Sequence, residues 1–261
     1  MKIVKISPHG FCAGVTGALK KALSLQGEVY CLHELVHNEI VVGDLRKRGF
    51  RFVEDVEDVP EGATVLFSAH GVSPQVRRRA MERKLKVVDA TCPFVQRVHD
   101  AARKYAEEGK FVYVIGKRDH AEVKGILGEI KNPQSPLPHK IAVVSQTTMN
   151  SDLVEKTIAE LKKTHEVETM AQVCHATKLR QDAVRNFTGD ALLVLGSANS
   201  SNTRELGEVA RCGKVFRAGT LEEVKAIDFS GVEVLGVTSG ASTPESFYEE
   251  ATRWLHERFS G

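Results

Sequence analysis

The sequence predicts an α/β protein in which one small unit of parallel strands and helices is used three times. Three cysteines, Cys12, Cys92 and Cys174, lie 80 and 82 residues apart, and 87 residues follow the last of them. Each cysteine follows a short β-rich run and precedes a helical pattern. Strands alternate with helices through all three thirds of the chain, and this alternation is typical of right-handed parallel βαβ units.

Each third of the chain opens with a strand, a cysteine and a helix. The second of these helices has the clearest pattern, since Val95, Val98, Ala102 and Tyr105 recur at helical spacing and Gly109 supplies a C-cap. The three opening strands are predicted at residues 3–6, 85–89 and 167–170, and the three helices at residues 13–25, 94–108 and 177–187.

Two nearly continuous apolar strands follow in each third, of the kind that parallel sheets bury on both faces. These strands are predicted at residues 28–32, 64–67, 111–115, 141–144, 191–195 and 233–237. A polar cluster comes after each of them, at residues 37–38, 68–71, 120–122, 145–148, 200–202 and 238–242. Ligands of such sheets bind beyond the carboxyl ends of the strands, so we expect the clusters and the three cysteines to surround one cavity.

Composition and charge exclude several classes of protein. Of the 261 residues, 42% are hydrophobic and 27% are charged, so the chain is not expected to be disordered. A formal net charge of +2 argues against nucleic acid as the main partner. No apolar run approaches the roughly 18 residues of a membrane helix, and the N-terminus has no signal-peptide pattern. Five dispersed cysteines do not resemble a secreted disulfide framework, so we expect a soluble, cytoplasmic protein with no membrane partner.

The three repeated cysteines are candidate metal ligands. Most cysteines outside disulfides are small buried hydrophobes, which is our interpretation of Cys31 and Cys212. A cysteine just before a helix instead lies at the positive end of the helix dipole, which favours the thiolate. Three thiolates suit an iron–sulfur cluster that leaves one of four irons open to substrate. A three-cysteine zinc site remains possible on ligand type alone.

Three histidines, His37, His70 and His120, each follow a predicted strand. They belong to a donor-rich set of side chains that is nearly free of Lys and Arg. Each residue by itself is more typical of a loop cap, but as a set, helix N-termini and neutral donors of this kind can hold a phosphate or diphosphate. The other members of the set are Ser200, Asn202, Ser242 and Thr147.

Glu122 is the only carboxylate within the six polar clusters. A carboxyl group can deliver the proton that is needed when a C–O bond breaks with loss of water. The alternative is an exposed glutamate at the start of a helix, which the helix dipole favours.

Nine short motifs then occur in order from the first dozen residues to residue 242. They are GFCAGV at 10–15, VHN at 36–38, SAHGVS at 68–73, DATCP at 89–93, HAEV at 120–123, QTT at 146–148, CHAT at 174–177, NSSN at 199–202 and GAS at 240–242. Each motif is weak alone, but nine in order are specific. Together they resemble one family, the 4-hydroxy-3-methylbut-2-enyl diphosphate reductases, oxidoreductases that complete the non-mevalonate route of isoprene biosynthesis.

The resemblance implies a fold of three similar α/β domains with small parallel sheets, arranged as a pseudo-threefold trefoil around a central cavity. The implied domains are residues 13–92, residues 93–174, and residues 1–12 together with 175–261. The resemblance also implies a [4Fe–4S] cluster held by Cys12, Cys92 and Cys174, whose fourth iron binds the substrate hydroxyl.

The resemblance further implies the reaction and its residues. Two electrons and protons remove the hydroxyl as water, giving isopentenyl and dimethylallyl diphosphates. Glu122, with Thr147 and His120 nearby, is the implied catalytic group for the proton. No GxGxxG follows a strand, so we expect an external electron donor, a ferredoxin or a flavodoxin. The implied substrate-binding residues are His37, His70, His120, Thr147, Ser200, Ser201, Asn202 and Ser242.

The chain departs from the family pattern next to the first cysteine. Family members usually carry Arg at the position of His9 and a charged pair at Thr16-Gly17. These positions bear on the reduction potential of a cluster rather than on its ligands. Two other functions remain open, a non-catalytic sensor with a labile cluster and a three-cysteine zinc hydrolase. The polar clusters favour an enzyme over the sensor, and iron and sulfide analysis distinguishes the hydrolase.

Overall fold

The computed structural model describes residues 1–132, 137–170 and 172–259, which form eleven strands and ten α-helices. The strands are β1 Lys2–Lys5, β2 Val29–Leu32, β3 Phe50–Val53, β4 Thr64–Phe67, β5 Lys86–Asp89, β6 Phe111–Ile115, β7 Lys140–Ser145, β8 Glu166–Thr169, β9 Ala191–Leu195, β10 Lys214–Ala218 and β11 Val234–Ser239. The helices are α1 Ala13–Leu23, α2 Glu39–Lys47, α3 Pro74–Glu82, α4 Pro93–Glu107, α5 Ala121–Leu127, α6 Ser151–Leu161, α7 His175–Arg185, α8 Ser201–Glu208, α9 Leu221–Ala226 and α10 Glu245–Phe259.

The strands form three small sheets in which every described strand pair is parallel. Their orders are β1-β11-β9-β10, β3-β2-β4-β5 and β6-β7-β8. In each sheet the strand that leads to a repeated cysteine lies at an edge, next to the second and then the first apolar strand of the preceding third of the chain, with β1 joining the strands of the last third. The predicted α/β class with three similar parallel sheets is therefore confirmed.

The chain falls into two compact units. The first unit comprises Met1–Ala13, His37–Gly43 and His175–Gly261, and the second comprises Gly14–Val36 and Asp44–Cys174. The first unit contains the sheet of β1, β11, β9 and β10, and the second contains the other two sheets. The division into three domains at residues 13–92, 93–174 and 1–12 with 175–261 stays a prediction.

The core of the first unit lies on both faces of β9, whose five residues are all buried. Successive side chains of a strand point to opposite faces of the sheet. Accordingly Leu193 and Leu195 pack in a cluster with residues of α10 such as Tyr248 and Leu255. Leu192 and Val194 pack in a second cluster with Val184 of α7 and Leu206 of α8. Burial on both faces explains why the sequence of β9 is one continuous apolar run.

Two strands, β3 and β10, have no counterpart in the sequence-based expectations. Their sequences, FRFV and KVFRA, contain basic residues among the apolar ones, and both strands lie at sheet edges. An edge strand is only partly covered, so it can contain charged residues in place of the continuous apolar run by which buried strands are recognised. In the part of the chain that the structure describes, no helix has the length and apolar character needed to cross a membrane.

Candidate active site

The three repeated cysteines occupy the same local position in the three sheets. Each backbone N–H donates to the carbonyl oxygen of the residue two positions beyond the neighbouring strand, and a helix begins at the next residue. The three side chains are partly exposed and none forms a disulfide. The start of a helix favours an anion, so each position suits a thiolate. The three hydrogen bonds are Cys12 to Ala241 at 3.1 Å, Cys92 to Ala69 at 3.0 Å and Cys174 to Thr147 at 3.0 Å.

The other two cysteines have different surroundings. Cys31 lies within β2, where it is fully buried, and burial raises the pKa of its thiol to about 12. Cys212 is partly buried and its thiol donates to the carbonyl oxygen of Lys214, with burial again raising the pKa. Raised pKa values disfavour the thiolate that a metal requires, so neither residue is a candidate ligand.

Glu122 lies in the first turn of α5 and its side chain is buried, at 1% exposure. The backbone N–H of Thr147 donates to Oε1 at 2.7 Å, and the hydroxyl of Thr147 donates to Oε2 at 3.0 Å. Burial raises the pKa of Glu122 to about 7, although the two hydrogen bonds from Thr147 act in the opposite direction. This burial rules out the exposed helix-start glutamate that the sequence left open. A carboxyl group with this pKa can release a proton near neutral pH.

Two histidines of the second unit lie close together near this carboxyl group. His120 caps α5, and its Nδ1 accepts the backbone N–H of Glu122 at 3.2 Å. The ring of His70, which follows β4, meets the ring of His120 edge to face with centroids 5.3 Å apart. The second unit therefore brings together four of the predicted site residues, which are Glu122, Thr147, His120 and His70.

The first unit presents the start of α8. Ser200 caps this helix by accepting the N–H of Thr203 at 3.3 Å. Asn202, at 4% exposure, uses its Oδ1 to accept the N–H of Ala241 at 2.9 Å. Its Nδ2 is buried and has no hydrogen-bond partner among the residues described. Because a buried amide nitrogen without an acceptor is costly, this group is suited to donate to an anion at the helix start.

Two other predicted residues adjoin this helix start. The hydroxyl of Ser242 donates to the carbonyl oxygen of His37 at 3.0 Å, and Ser201 is the first residue of α8. Gly196 has φ +142°, and a Cβ there would lie 2.6 Å from Oγ1 of Thr203. Only glycine permits this close approach of the loop after β9 to the helix. The predicted residues His37, Ser200, Ser201, Asn202 and Ser242 therefore belong to the first unit.

One buried cation near the first cysteine was missed by the sequence-based reasoning. Arg180 of α7 donates through Nη2 to the carbonyl oxygen of Gly10 at 2.9 Å and through Nη1 to that of Ala176 at 3.1 Å. The N–H of Gly10 in turn donates to Oγ of Ser239 at 2.8 Å. Arg180 thus fixes the turn that precedes Cys12. The available signal was helical spacing, since the buried face of α7 is Thr177, Arg180, Gln181 and Val184.

His9, at the first departure from the family pattern, packs against α10. Its ring stacks on that of Tyr248, with centroids 3.8 Å apart and an angle of 10° between planes. Its Nδ1 lies 3.1 Å from Oε1 of Glu245. At the position where family members usually carry Arg, this chain therefore has a histidine next to the carboxylate of Glu245.

The fold is that of an α/β protein in which each parallel sheet presents a cysteine at a helix start, and the buried acid of the second unit is a group typical of an enzyme. The model of the LytB protein family matches residues 3–256, and the chain belongs to this family. The family that the nine motifs resemble is thereby confirmed, since its relatives carry the same reductase name.

The relatives match over almost their whole length. The 4-hydroxy-3-methylbut-2-enyl diphosphate reductase of Desulfotalea psychrophila is 41% identical, and the alignment covers 99% of this chain and 90% of the relative. That of Methylococcus capsulatus is 39% identical, with coverage of 98% and 91%. The solved structure of the E-1-hydroxy-2-methyl-but-2-enyl-4-diphosphate reductase from Plasmodium falciparum superposes with a TM-score of 0.91 at 33% identity, covering 98% of this chain and 88% of that one.

The raised pKa of Glu122 predicts a pH-dependent stability. The folded state holds the proton up to about pH 7, whereas an unfolded glutamate loses it near 4.5, so stability falls as the pH rises between these values. Glu122→Gln keeps the shape but cannot ionise. We expect its free energy of unfolding relative to the parent to increase by about 3 kcal/mol between pH 4 and pH 8.5, as measured by urea denaturation.

Glu82→Gln is the matched control for this experiment, because Glu82 is an exposed glutamate at the end of α3. We expect the free-energy difference between this variant and the parent to stay constant across the same pH range. If the free-energy difference between Glu122→Gln and the parent were equally independent of pH, the raised pKa of Glu122 would be contradicted.

Proposed function

We propose that the chain reduces (E)-4-hydroxy-3-methylbut-2-enyl diphosphate to isopentenyl and dimethylallyl diphosphates. Two electrons and two protons enter the reaction. The C–O bond of the allylic alcohol breaks, one proton leaves with the hydroxyl as water, and the other is added to carbon. Family membership and the name shared by the relatives support this activity. The observation that carries the proposal is the buried Glu122 carboxyl group held by Thr147.

The proposed cofactor is a [4Fe–4S] cluster held by Cys12, Cys92 and Cys174. The donor set fits this group, because three thiols outside disulfides stand at equivalent helix starts and soft thiolates prefer such clusters. When bound, such a cluster would pass on the electrons of an external donor and would supply a Lewis acid for the substrate hydroxyl. Arg180 supports this assignment by holding the turn before Cys12 in place.

Glu122 is the proposed proton donor. Near pH 7 its carboxyl group is poised between the two protonation states, which is the condition for efficient general acid catalysis. Thr147 donates to both carboxyl oxygens, so the carboxylate that remains after proton transfer is already hydrogen-bonded. His120, whose Nδ1 accepts the Glu122 N–H, fixes the first turn of α5 and with it the direction of the carboxyl group.

The proposed diphosphate site uses dipoles and neutral donors. In the first unit these are the N–H groups at the start of α8, the Nδ2 of Asn202, and the side chains of Ser200, Ser201, Ser242 and His37. A phosphate oxygen would supply the acceptor that Nδ2 of Asn202 otherwise lacks among the described residues. In the second unit His70, His120 and Thr147 are the proposed contacts, with His120 and Thr147 also adjoining the acid.

An external protein, a ferredoxin or a flavodoxin, is the proposed electron donor. The sequence has no GxGxxG after a strand, so a bound nicotinamide cofactor lacks its usual binding motif. A cytoplasmic location is part of the same proposal. None of the five cysteines forms a disulfide, which is typical of proteins in reducing compartments.

The cluster assignment predicts how serine substitution changes the metal content. We expect Cys12→Ser, Cys92→Ser and Cys174→Ser each to lose most of the iron, the acid-labile sulfide and the brown colour of protein purified without oxygen. Cys212→Ser is the matched control and should keep all three, because its thiol donates to a backbone carbonyl. Full iron content in any of the three variants would remove that cysteine from the ligand set.

The proton-donor role predicts both a pH profile and a mutant phenotype. The parent kcat should fall as the pH rises through about 7, where Glu122 ionises. Glu122→Gln should keep the cluster spectrum but lower kcat by roughly 100-fold or more, which is the usual contribution of a general acid. The assay uses the allylic diphosphate and a chemical reductant under anaerobic conditions. An unchanged kcat in Glu122→Gln, with Glu82→Gln as control, would exclude the role.

The helix-start site predicts a specific effect on substrate affinity. We expect Asn202→Ala to raise KM roughly tenfold or more, because one buried donor to an anion is worth about 1.5–3 kcal/mol. Asn199→Ala removes an exposed amide from the same loop and should leave KM within about twofold of the parent. Equal KM values for the two variants would place the diphosphate elsewhere.

A further inference from the structure

His99 is a buried polar residue on the apolar face of α4, the helix that starts directly after Cys92. Its side chain is 2% exposed and lies between Val95, Val98 and Ala102 on the buried face of the helix. It follows no predicted strand, and neither the cluster nor the diphosphate site uses it. A buried imidazole costs free energy unless it makes hydrogen bonds, so its presence in this core requires an explanation.

The imidazole is paired with a second buried polar group. Nδ1 of His99 lies 3.0 Å from Oε1 of Glu129, whose side chain is 4% exposed. Glu129 comes just after the C-cap of α5, the helix that carries Glu122. Arg103 of α4 faces this pair, and its Nη1 lies 3.7 Å from Oε2 of Glu129. The pair therefore joins α4 to the end of α5.

The opposite edge of the same ring lies against two glycines. A Cβ on Gly71 would come within 2.9 Å of Nε2 of His99, and a Cβ on Gly125 would come within 2.9 Å of its Cε1. Gly71 directly follows His70 and has φ +75°, a conformation that favours glycine. Gly125 lies in α5, one turn after Glu122. The ring edge thus lies against both the segment of His70 and the helix of Glu122, beside the direct approach of α5 to Val72 and Ser73.

We propose that His99 and Glu129 form a positioning pair that sets the distance and direction of α5, and hence of the Glu122 carboxyl group, relative to the His70 segment. This inference rests on the proposed role of Glu122. The pair makes two separate contacts with α5, the hydrogen bond at its end and the ring edge at Gly125, whereas it meets the His70 segment at Gly71 alone. Loss of the pair should therefore affect kcat more than KM.

The shape and chemistry of the site explain why a histidine suits it. A flat ring fits between two glycine backbones, and an imidazole N–H gives the buried Glu129 carboxylate a donor. Phenylalanine keeps a flat ring but leaves Glu129 without that donor. Asparagine places an N–H near the position of Nδ1 but has no ring edge to fill the space at Gly71 and Gly125. Substitutions therefore separate the hydrogen bond from the packing.

The test measures kcat, KM and the pH profile of the holoenzyme, with rates divided by cluster content. Glu129→Ala and His99→Phe should lower kcat about tenfold, change KM less than threefold and move the pH midpoint of kcat by more than about half a unit. Glu129→Gln offers the same acceptor oxygen to Nδ1–H and should restore most of the rate lost in Glu129→Ala. His99→Asn, which lacks the ring edge, should show a loss like that of His99→Phe.

The outcome that overturns the proposal is equally specific. If these variants lower thermal stability or cluster content but keep the parent kcat per cluster and the parent pH midpoint, the pair is merely structural. Should His99→Phe fail to fold, Glu129→Ala and Glu129→Gln decide the matter by the same readouts. The role of Glu122 is tested separately, because the parent enzyme should show a pH midpoint of kcat that Glu122→Gln lacks. Failure of the proton-donor role can therefore be distinguished from failure of the positioning pair.

Discussion

The N–H hydrogen bond from each repeated cysteine to the neighbouring strand's carboxyl end is the constraint on which the rest of the structure depends. Six, two and four residues separate the edge strands β1, β5 and β8 from their cysteines, yet all three N–H groups reach the residue two positions beyond the partner strand. The common end point, rather than a common loop, fixes each thiol at the start of a helix. Burial on both faces also constrains the parallel register, because a slip of one residue would exchange the side chains between two faces that pack against different partners.

Burial on both faces also explains how much of the fold was predictable. The apolar runs at β4, β6 and β9 are uninterrupted, and their observed bounds equal the predicted ones. The edge strands β3 and β10 contain basic residues among the apolar ones, so they lacked that signal. Helix α4 begins at Pro93, one residue earlier than predicted, because proline is well suited to the first helical position. Local pattern thus predicted the strands that have an apolar run or that precede a repeated cysteine, including the edge strands β1, β5, β6 and β8, but not the two edge strands that have neither feature.

The site divides in the same way between local pattern and long-range contact. Position after a strand was enough to select Glu122, but its burial depends on Thr147, 25 residues further along the chain. In the sequence, Arg180 and His99 are ordinary helical residues. Their hydrogen-bond partners, Gly10 and Glu129, lie 170 and 30 residues away along the chain. The buried acid and the family membership favour a reductase over the sensor and the zinc hydrolase that the sequence left open.

The most direct test of the account is anomalous diffraction at the iron absorption edge from crystals of the protein grown without oxygen. The account predicts one compact iron site in thiolate contact with Sγ of Cys12, Cys92 and Cys174 together. Iron held by fewer than these three cysteines, or found at separate places in the molecule, would contradict it.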